Sequence, residues 1–251
     1  MPPVQPDLIF DLGMHHGDDA GYYLAKGFQV VALEANPALC RQAEAKFADA
    51  RAEGRLAIVN AALWESGGGT TSFFINPEKD DWSSAFRDWA AKGQHAVEEI
   101  TVETVTLPQL FDRHGCPYYL KCDLEGVDEL FARQLLGDAR RPAFVSVEAI
   151  SLDLLALLRA AGYDRFQIVN QSQSWAVQPP VPPREGQLTE VAFTGHMSGL
   201  FGRDLEPGSW VSFAEAAGRH LDFTRLAERD PQLAVGWLDF HATTAAVLGQ
   251  G

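Results

Sequence analysis

The chemistry this sequence can perform is concentrated in two turns and a set of carboxylates. Asp11-Leu12-Gly13-Met14-His15-His16-Gly17 follows a short apolar run that begins at Leu8. Glycines placed after a strand let the chain turn tightly and bring backbone close to a ligand. The spacing is G-x-x-x-G, whereas a dinucleotide site needs G-x-G-x-x-G to seat a diphosphate on the helix N-terminus. That favours a nucleoside ligand with an amino-acid tail, held at Asp11, Gly13, Met14, His15 and Gly17. A second apolar run ends in Leu33-Glu34-Ala35-Asn36-Pro37, with Glu34 standing 23 residues after Asp11. A carboxylate at the end of a second strand accepts hydrogen bonds from both ribose hydroxyls of a nucleoside.

The acceptor side of such a site has its own candidates. Tyr118 to Asp123 is a third apolar run and continues as Leu124-Glu125-Gly126, and Ala143 to Glu148 is a fourth. Asp123, Glu125 and Glu148 thus lie at or just past strand ends, where they can orient hydroxyls, accept a proton or hold a hard cation. Glu125 is equally well placed to cap the helix that begins near Val127. No metal ligand set is assigned. His15 and His16 in a turn are more simply structural than catalytic. His196, in the glycine-rich stretch Gly195 to Gly202, either reaches the active site or belongs to a surface loop. Trp82-Ser83-Ser84-Ala85-Phe86 lies in a long polar segment, residues 76–99, of the kind that forms lids over strand ends. Trp210, Trp237 and His241 are expected in the core of the C-terminal segment.

Such residues need elements to carry them, and strand and helix signals alternate from residue 8 onward. Asn36-Pro37 reads as an N-cap with proline at the first helical position, and Leu39, Cys40, Ala43, Phe47 and Ala50 follow at helical spacing. Near-continuous apolar strands alternating with helices imply a parallel sheet covered on both faces. Arg165 to Gln171 and Thr189 to Thr194 are expected to close the sheet as a hairpin around a proline-rich loop. The expected fold is α/β, a Rossmann-like doubly wound and mostly parallel sheet over residues 1–194, with a C-terminal helical appendage, residues 195–251, packed on the same domain.

Composition narrows the partners. The 251 residues carry 34 acidic against 20 basic side chains, a formal net charge of −14. Sequence-independent nucleic-acid binding needs clustered cations to displace counterions, so no nucleic-acid partner is expected. No apolar run approaches the roughly 20 residues that span a bilayer, so no membrane insertion is expected either. The three cysteines form no CxxC pair, and the first residues show no basic-then-apolar leader pattern; reduced thiols and a cytoplasmic location are expected.

In order along the chain, Phe10-Asp11-Leu12-Gly13, Leu33-Glu34-Ala35-Asn36-Pro37, Val59-Asn60-Ala61-Ala62-Leu63, Leu120-Lys121-Cys122-Asp123-Leu124-Glu125-Gly126 and Val145-Ser146-Val147-Glu148 resemble the motifs of FkbM-type methyltransferases, over roughly residues 8–170. The Lys-x-Asp-x-Glu-Gly element is the most specific of them. The family's first motif usually reads Asp-x-Gly-Ala-Asn-x-Gly, and Met14-His15-His16 departs from it here. The resemblance implies a Class I fold, S-adenosylmethionine as methyl donor, and O-methylation of a sugar or small metabolite, a small-molecule or carbohydrate acceptor. It places Ala35, Asn36, Asn60, Ala61 and Asp123 beside Glu34 around the methyl donor. Two alternatives stand beside it: an NAD-dependent oxidoreductase, disfavoured by the glycine pattern, and a non-catalytic domain that binds S-adenosylmethionine or a protein partner.

Overall fold

The alternating segments fold into one seven-stranded sheet with helices on both faces, in a computed structural model that describes residues 3–249. The first half runs β1 (Val4–Leu12), α1 (Asp18–Ala25), β2 (Gln29–Glu34), α2 (Pro37–Lys46), α3 (Ala48–Ala52) and β3 (Leu56–Asn60). A three-stranded side sheet follows, made of β4 (Ala62–Leu63), β5 (Thr70–Ile75) and, beyond the one-turn α4 (Arg87–Ala90), β6 (Glu98–Val105). The chain then returns through α5 (Leu107–His114), β7 (Cys116–Cys122), α6 (Asp128–Gly137), β8 (Phe144–Glu148), α7 (Leu152–Ala160) and β9 (Arg165–Asn170). It ends in α8 (Phe213–Arg229), β10 (Leu238–Thr243) and α9 (Ala245–Leu248).

Local chemistry explains the helix starts. Asn36 accepts from the Ala38 N–H with Pro37 next in line, and Thr106 and Gln109 form a reciprocal capping box at α5. Ser151 and Ser212 cap α7 and α8 through their hydroxyls.

The strand order is β3-β2-β1-β7-β8-β10-β9, with only β10 antiparallel to its neighbours. Chain order reverses between β1 and β7, the place where open α/β sheets leave a crevice beyond their carboxyl ends. Side chains alternate across the sheet. Leu8, Phe10, Leu12, Leu120, Val145 and Phe240 face α5 to α8, whereas Ile9, Val30, Tyr119 and Phe144 face α1 and α2. Asp11, Lys121, Ser146 and His241 form a continuous cross-strand row on the α1 face. In the next row toward the crevice, Glu148 pairs with Asp239. Residues far apart in sequence thereby become neighbours at one edge.

Two expectations need correction. The partner of β9 is β10, from residues 238–243, and residues 189–194 form no strand. The helical C-terminal region therefore also supplies the strand inserted between β8 and β9. Its preceding loop is tied down by a buried Lys26–Asp204 ion pair of 2.6 Å and by Asp19, whose carboxylate accepts the Ser198 N–H at 3.0 Å. Trp237 is not core: it is 46 % exposed and borders the crevice. Trp210 packs against Phe144, and His241 is buried in the sheet, where burial lowers its pKa to about 3.

Candidate active site

A cavity of about 380 Å³ opens at the carboxyl ends of β1, β2, β7 and β8. Its volume falls in the range of small-molecule sites, roughly 300–1,000 Å³. The glycine turn forms one wall. Gly13 and Met14 donate backbone N–H bonds to the Leu33 carbonyl at 3.0 Å, pinning the turn onto β2. Gly13 has φ +86°, and a Cβ there would lie 1.8 Å from the Asp123 carbonyl oxygen. Gly13→Ala should therefore destabilise the fold by more than the ~1–3 kcal/mol of a strained left-handed residue alone. Chemical denaturation checks this, and wild-type stability in the variant would mean that the β1–β7 junction is not this tight.

Beneath the turn sits a charge cluster. The Lys121 ammonium lies 3.3 Å from carboxylate oxygens of Asp11 and Asp19, 3.3 Å from the Gly13 carbonyl and 3.9 Å from Asp123. Burial disfavours this ammonium, but Asp11, Asp19 and Asp123 outweigh burial and hold its pKa well above the ordinary value. Burial pushes Asp11 up to about 6 against the pull of Lys121, and the Asp11 Oδ2 atom has no hydrogen-bond partner among the described residues.

Glu34 closes the opposite wall. Its Oε1 accepts the Asn36 N–H at 2.7 Å and its Oε2 the His15 N–H at 2.9 Å. A carboxylate offers about four lone-pair positions, so acceptor capacity remains on both oxygens. Burial raises the Glu34 pKa to about 7, opposed by those two backbone bonds.

On the acceptor side, Asp123, Glu125 and Glu148 all line the cavity, joined by Asp239 from β10. Asp123 is 48 % exposed in its side chain. Burial, reinforced by Asp123, raises Glu148 and Asp239 to about 8 each and Glu125 to about 7. Gln171 donates from Nε2 to Asp239 Oδ2 at 2.6 Å. Glu125 does not cap α6. Among the described residues no side chain caps α6; Asp128, its first residue, reaches back to accept the Leu124 and Gly126 N–H groups of the preceding turn at 3.2 Å each. Glu125 instead accepts the Trp89 indole N–H at 2.6 Å, and its carbonyl accepts the Ser84 hydroxyl at 2.6 Å. The polar loop between β5 and β6 is thus bonded to the turn after β7, and its residues Asp80 to Ser83 border the cavity.

Of the residues expected around the ligand, Gly13, Met14, His15, Glu34, Ala35, Ala61, Asp123, Glu125, Glu148 and His196 line the cavity. His196 is exposed and sits at the rim, its ring centroid 6.3 Å from that of His15. Asp11, Gly17, Asn36 and Asn60 are not on the wall. Gly17 packs on Phe47, Asn36 caps α2, and Asn60 donates to the Glu34 and Ala35 carbonyls at 2.9 and 3.0 Å. Sequence reasoning quoted Lys121 within the family motif but gave it no site role, and it missed Asp19, Asp80 and Asp239. A lone lysine inside an apolar strand is a signal that could have flagged Lys121. Asp239 had none, because its register depends on an antiparallel pairing across the chain.

Residues 11–164 match the family described as Methyltransferase FkbM domain. No curated protein matches the sequence. Among solved structures, the chain is similar to a precorrin-6y C5,15-methyltransferase from Geobacter metallireducens GS-15, with 11 % identity, a TM-score of 0.41, and coverage of 97 % of this chain and 82 % of that one. It is also similar to a methyltransferase FkbM from Methylobacillus flagellatus KT, with 14 % identity, a TM-score of 0.35, and coverage of 59 % of this chain and 34 % of that one.

Proposed function

This chain belongs to the FkbM methyltransferase family, and from that premise we propose that it is an S-adenosylmethionine-dependent O-methyltransferase acting on a hydroxyl of a sugar or small metabolite. The carrying observation is the paired carboxylates of half-buried Glu148 and buried Asp239, which line the same cavity as Glu34. The donor set fits a cationic nucleoside ligand. Glu34 keeps acceptor capacity for a ribose, and Leu39, Ala61, Ala62 and Leu63 give the Glu34 end an apolar wall.

S-adenosylmethionine, when bound, supplies an electrophilic methyl group on a cationic sulfur and leaves as S-adenosylhomocysteine. The chain's residues must then align an acceptor oxygen and remove its proton. Alignment by the walls and the β5–β6 loop can supply about 7–11 kcal/mol of the barrier. A carboxylate base adds typically 10²–10⁴-fold, most effectively when its pKa lies near the working pH. Glu148 and Asp239 meet that condition through burial. In this reading Asp123 and Glu125 orient the acceptor, Lys121 holds the glycine turn through Asp11 and Asp19, and His196 borders the acceptor entrance.

The chain acts as one domain in this reading, with residues 195–249 integral to the site through Asp239 and Met197. The three free buried cysteines suit a reducing, cytoplasmic setting. No helix among the described residues is long and apolar enough to cross a membrane. Incubation with methyl-labelled S-adenosylmethionine and a panel of sugars, glycolipids and hydroxylated metabolites should transfer label to an oxygen of at least one acceptor. Label found only on nitrogen or carbon acceptors would overturn the O-methyl assignment.

A further inference from the structure

One cluster at the cavity mouth is used by none of these roles. His15 Nε2 lies 3.3 Å from Asp80 Oδ1, and His16 Nε2 lies 3.1 Å from Asp80 Oδ2. The three side chains each offer a ligand atom, all within 4.8 Å of one another, and they are the one such group among the described residues. We propose that His15, His16 and Asp80 form a binding site for a divalent transition-metal ion of the Zn²⁺ type, with a coordination position left open toward the acceptor end of the cavity.

Four observations carry the assignment. The first is spacing: one ligand atom from each side chain lies within 4.8 Å of the others, near the roughly 3.3 Å that separates two atoms bound at about 2.0–2.1 Å to a tetrahedral ion, and the two imidazole–carboxylate contacts reach different oxygens of Asp80. The second is an unmet group, since His15 Nε2 is enclosed and lacks an aligned hydrogen bond despite its proximity to Asp80. The third is backbone conformation. His15 has φ +51°, rare for a residue other than glycine, and the two adjacent rings lie side by side with centroids 4.0 Å apart. Such conformations gather at functional sites, where the surroundings hold them. The fourth is field: nine carboxylates border the cavity against two lysines, both already paired, Lys121 with Asp11 and Asp19 and Lys92 with Glu125.

Two imidazoles and one carboxylate suit a borderline ion over Mg²⁺ or Ca²⁺, which prefer all-oxygen sites. Three protein ligands leave an open position, as in catalytic zinc sites. An ion there would join the glycine turn to the β5–β6 loop, because Asp80 belongs to that loop. It would also offer a Lewis-acidic contact to an oxygen-rich acceptor, such as vicinal hydroxyls or a hydroxy-carbonyl. Metal binding by these three side chains is independent of methyl transfer.

The test is metal uptake by the full chain after chelator treatment, with Zn²⁺ alone measured by elemental analysis and Co²⁺ alone by visible absorption. Wild type should take up one ion per chain, and Co²⁺ should give the intense bands of a four-coordinate site. Outer-sphere partners alone are worth 10–100-fold in affinity, so His16→Ala and Asp80→Asn should each weaken uptake by more than about 100-fold. His95→Ala, at the separate His95–Glu78 pair, should leave uptake unchanged. Thermal melts of the metal-free variants confirm that each is folded, and Asp80→Asn preserves side-chain size where His16→Ala does not. Absence of stoichiometric uptake in wild type would overturn the site and leave Asp80 as a plain ion-pair partner of the two histidines. Equal uptake in wild type, His16→Ala and Asp80→Asn would overturn it as well.

Discussion

Lys121→Met is expected to be among the most damaging single substitutions in this chain. The ammonium it removes is the common partner of two carboxylates, Asp11 and Asp19, both buried on the α1 face of the sheet. Breaking a buried pair by deleting one partner typically costs about 3–5 kcal/mol, because the remaining charge is left in a poor medium. At about 2–4 °C per kcal/mol for a chain of this size, the melting temperature should fall by roughly 10 °C. The loss should depend on pH with a definite sign. Without the lysine, the folded-state pKa values of Asp11 and Asp19 rise further above their unfolded values. A raised carboxyl pKa gives stability at low pH that is lost as pH rises through the folded value. The wild-type Asp11 value is already about 6, so the deficit should be small near pH 5 and grow as pH rises above about 6. A deficit that does not change across that window would place the damage in packing and not in the charge cluster.

Glu148→Gln should abolish most of the turnover while sparing binding of S-adenosylhomocysteine. Removing a general base typically lowers the rate by 10²–10⁴, about 3–5 kcal/mol in the barrier. Glu148 is preferred over Asp123 because it is held at about 8 by burial, whereas Asp123 is half exposed and borders Lys121. The wild-type rate should rise with pH up to about 8 as this carboxyl ionises, and the variant should lose that limb. Asp239→Asn, which can keep the Gln171 hydrogen bond, should shift the limb and lower the rate less. Stability should move the opposite way. A folded-state pKa raised to about 8 makes wild type progressively less stable between about pH 5 and pH 8. Glu148→Gln should therefore be more stable than wild type above pH 8 and no more stable below pH 5. A variant with full turnover, or with an unaltered pH profile, would move the base elsewhere.

Much of this site is legible in the sequence because its parts are local. Asp11 to Gly17, Glu34 and Asp123 to Gly126 each sit at a strand end marked by an apolar run, and the reversal of strand order brings those ends together. Local pattern does not carry long-range register. The sequence pairs β9 with residues 189–194, but those residues lack the continuous apolar face that Leu238, Phe240 and Ala242 present to α7 and α8. Missing that strand also hid Asp239, which reaches the cavity only through its pairing with Glu148. Asp80 escaped for a related reason: it comes from a polar loop whose fold is set by Trp89 and Ser84 bonding to Glu125. The two readings of Glu125 are equivalent in sequence, and they separate only in the fold, where its carboxylate accepts the Trp89 indole N–H and, among the described residues, α6 starts without a side-chain cap.

Calorimetric titration of S-adenosylhomocysteine into wild type and Glu34→Ala reports on the methyl-donor site itself. The cavity is read as a methyl-donor site because a buried carboxylate at the end of β2 faces a glycine turn at the end of β1. Wild type should bind one equivalent, and Glu34→Ala should bind about 1–3 kcal/mol more weakly through lost hydrogen bonds to the ribose. Circular dichroism confirms that the variant is folded, which matters because Glu34 also accepts the His15 and Asn36 N–H groups. Absence of saturable binding in wild type, or an affinity unchanged in a folded Glu34→Ala, would contradict the account.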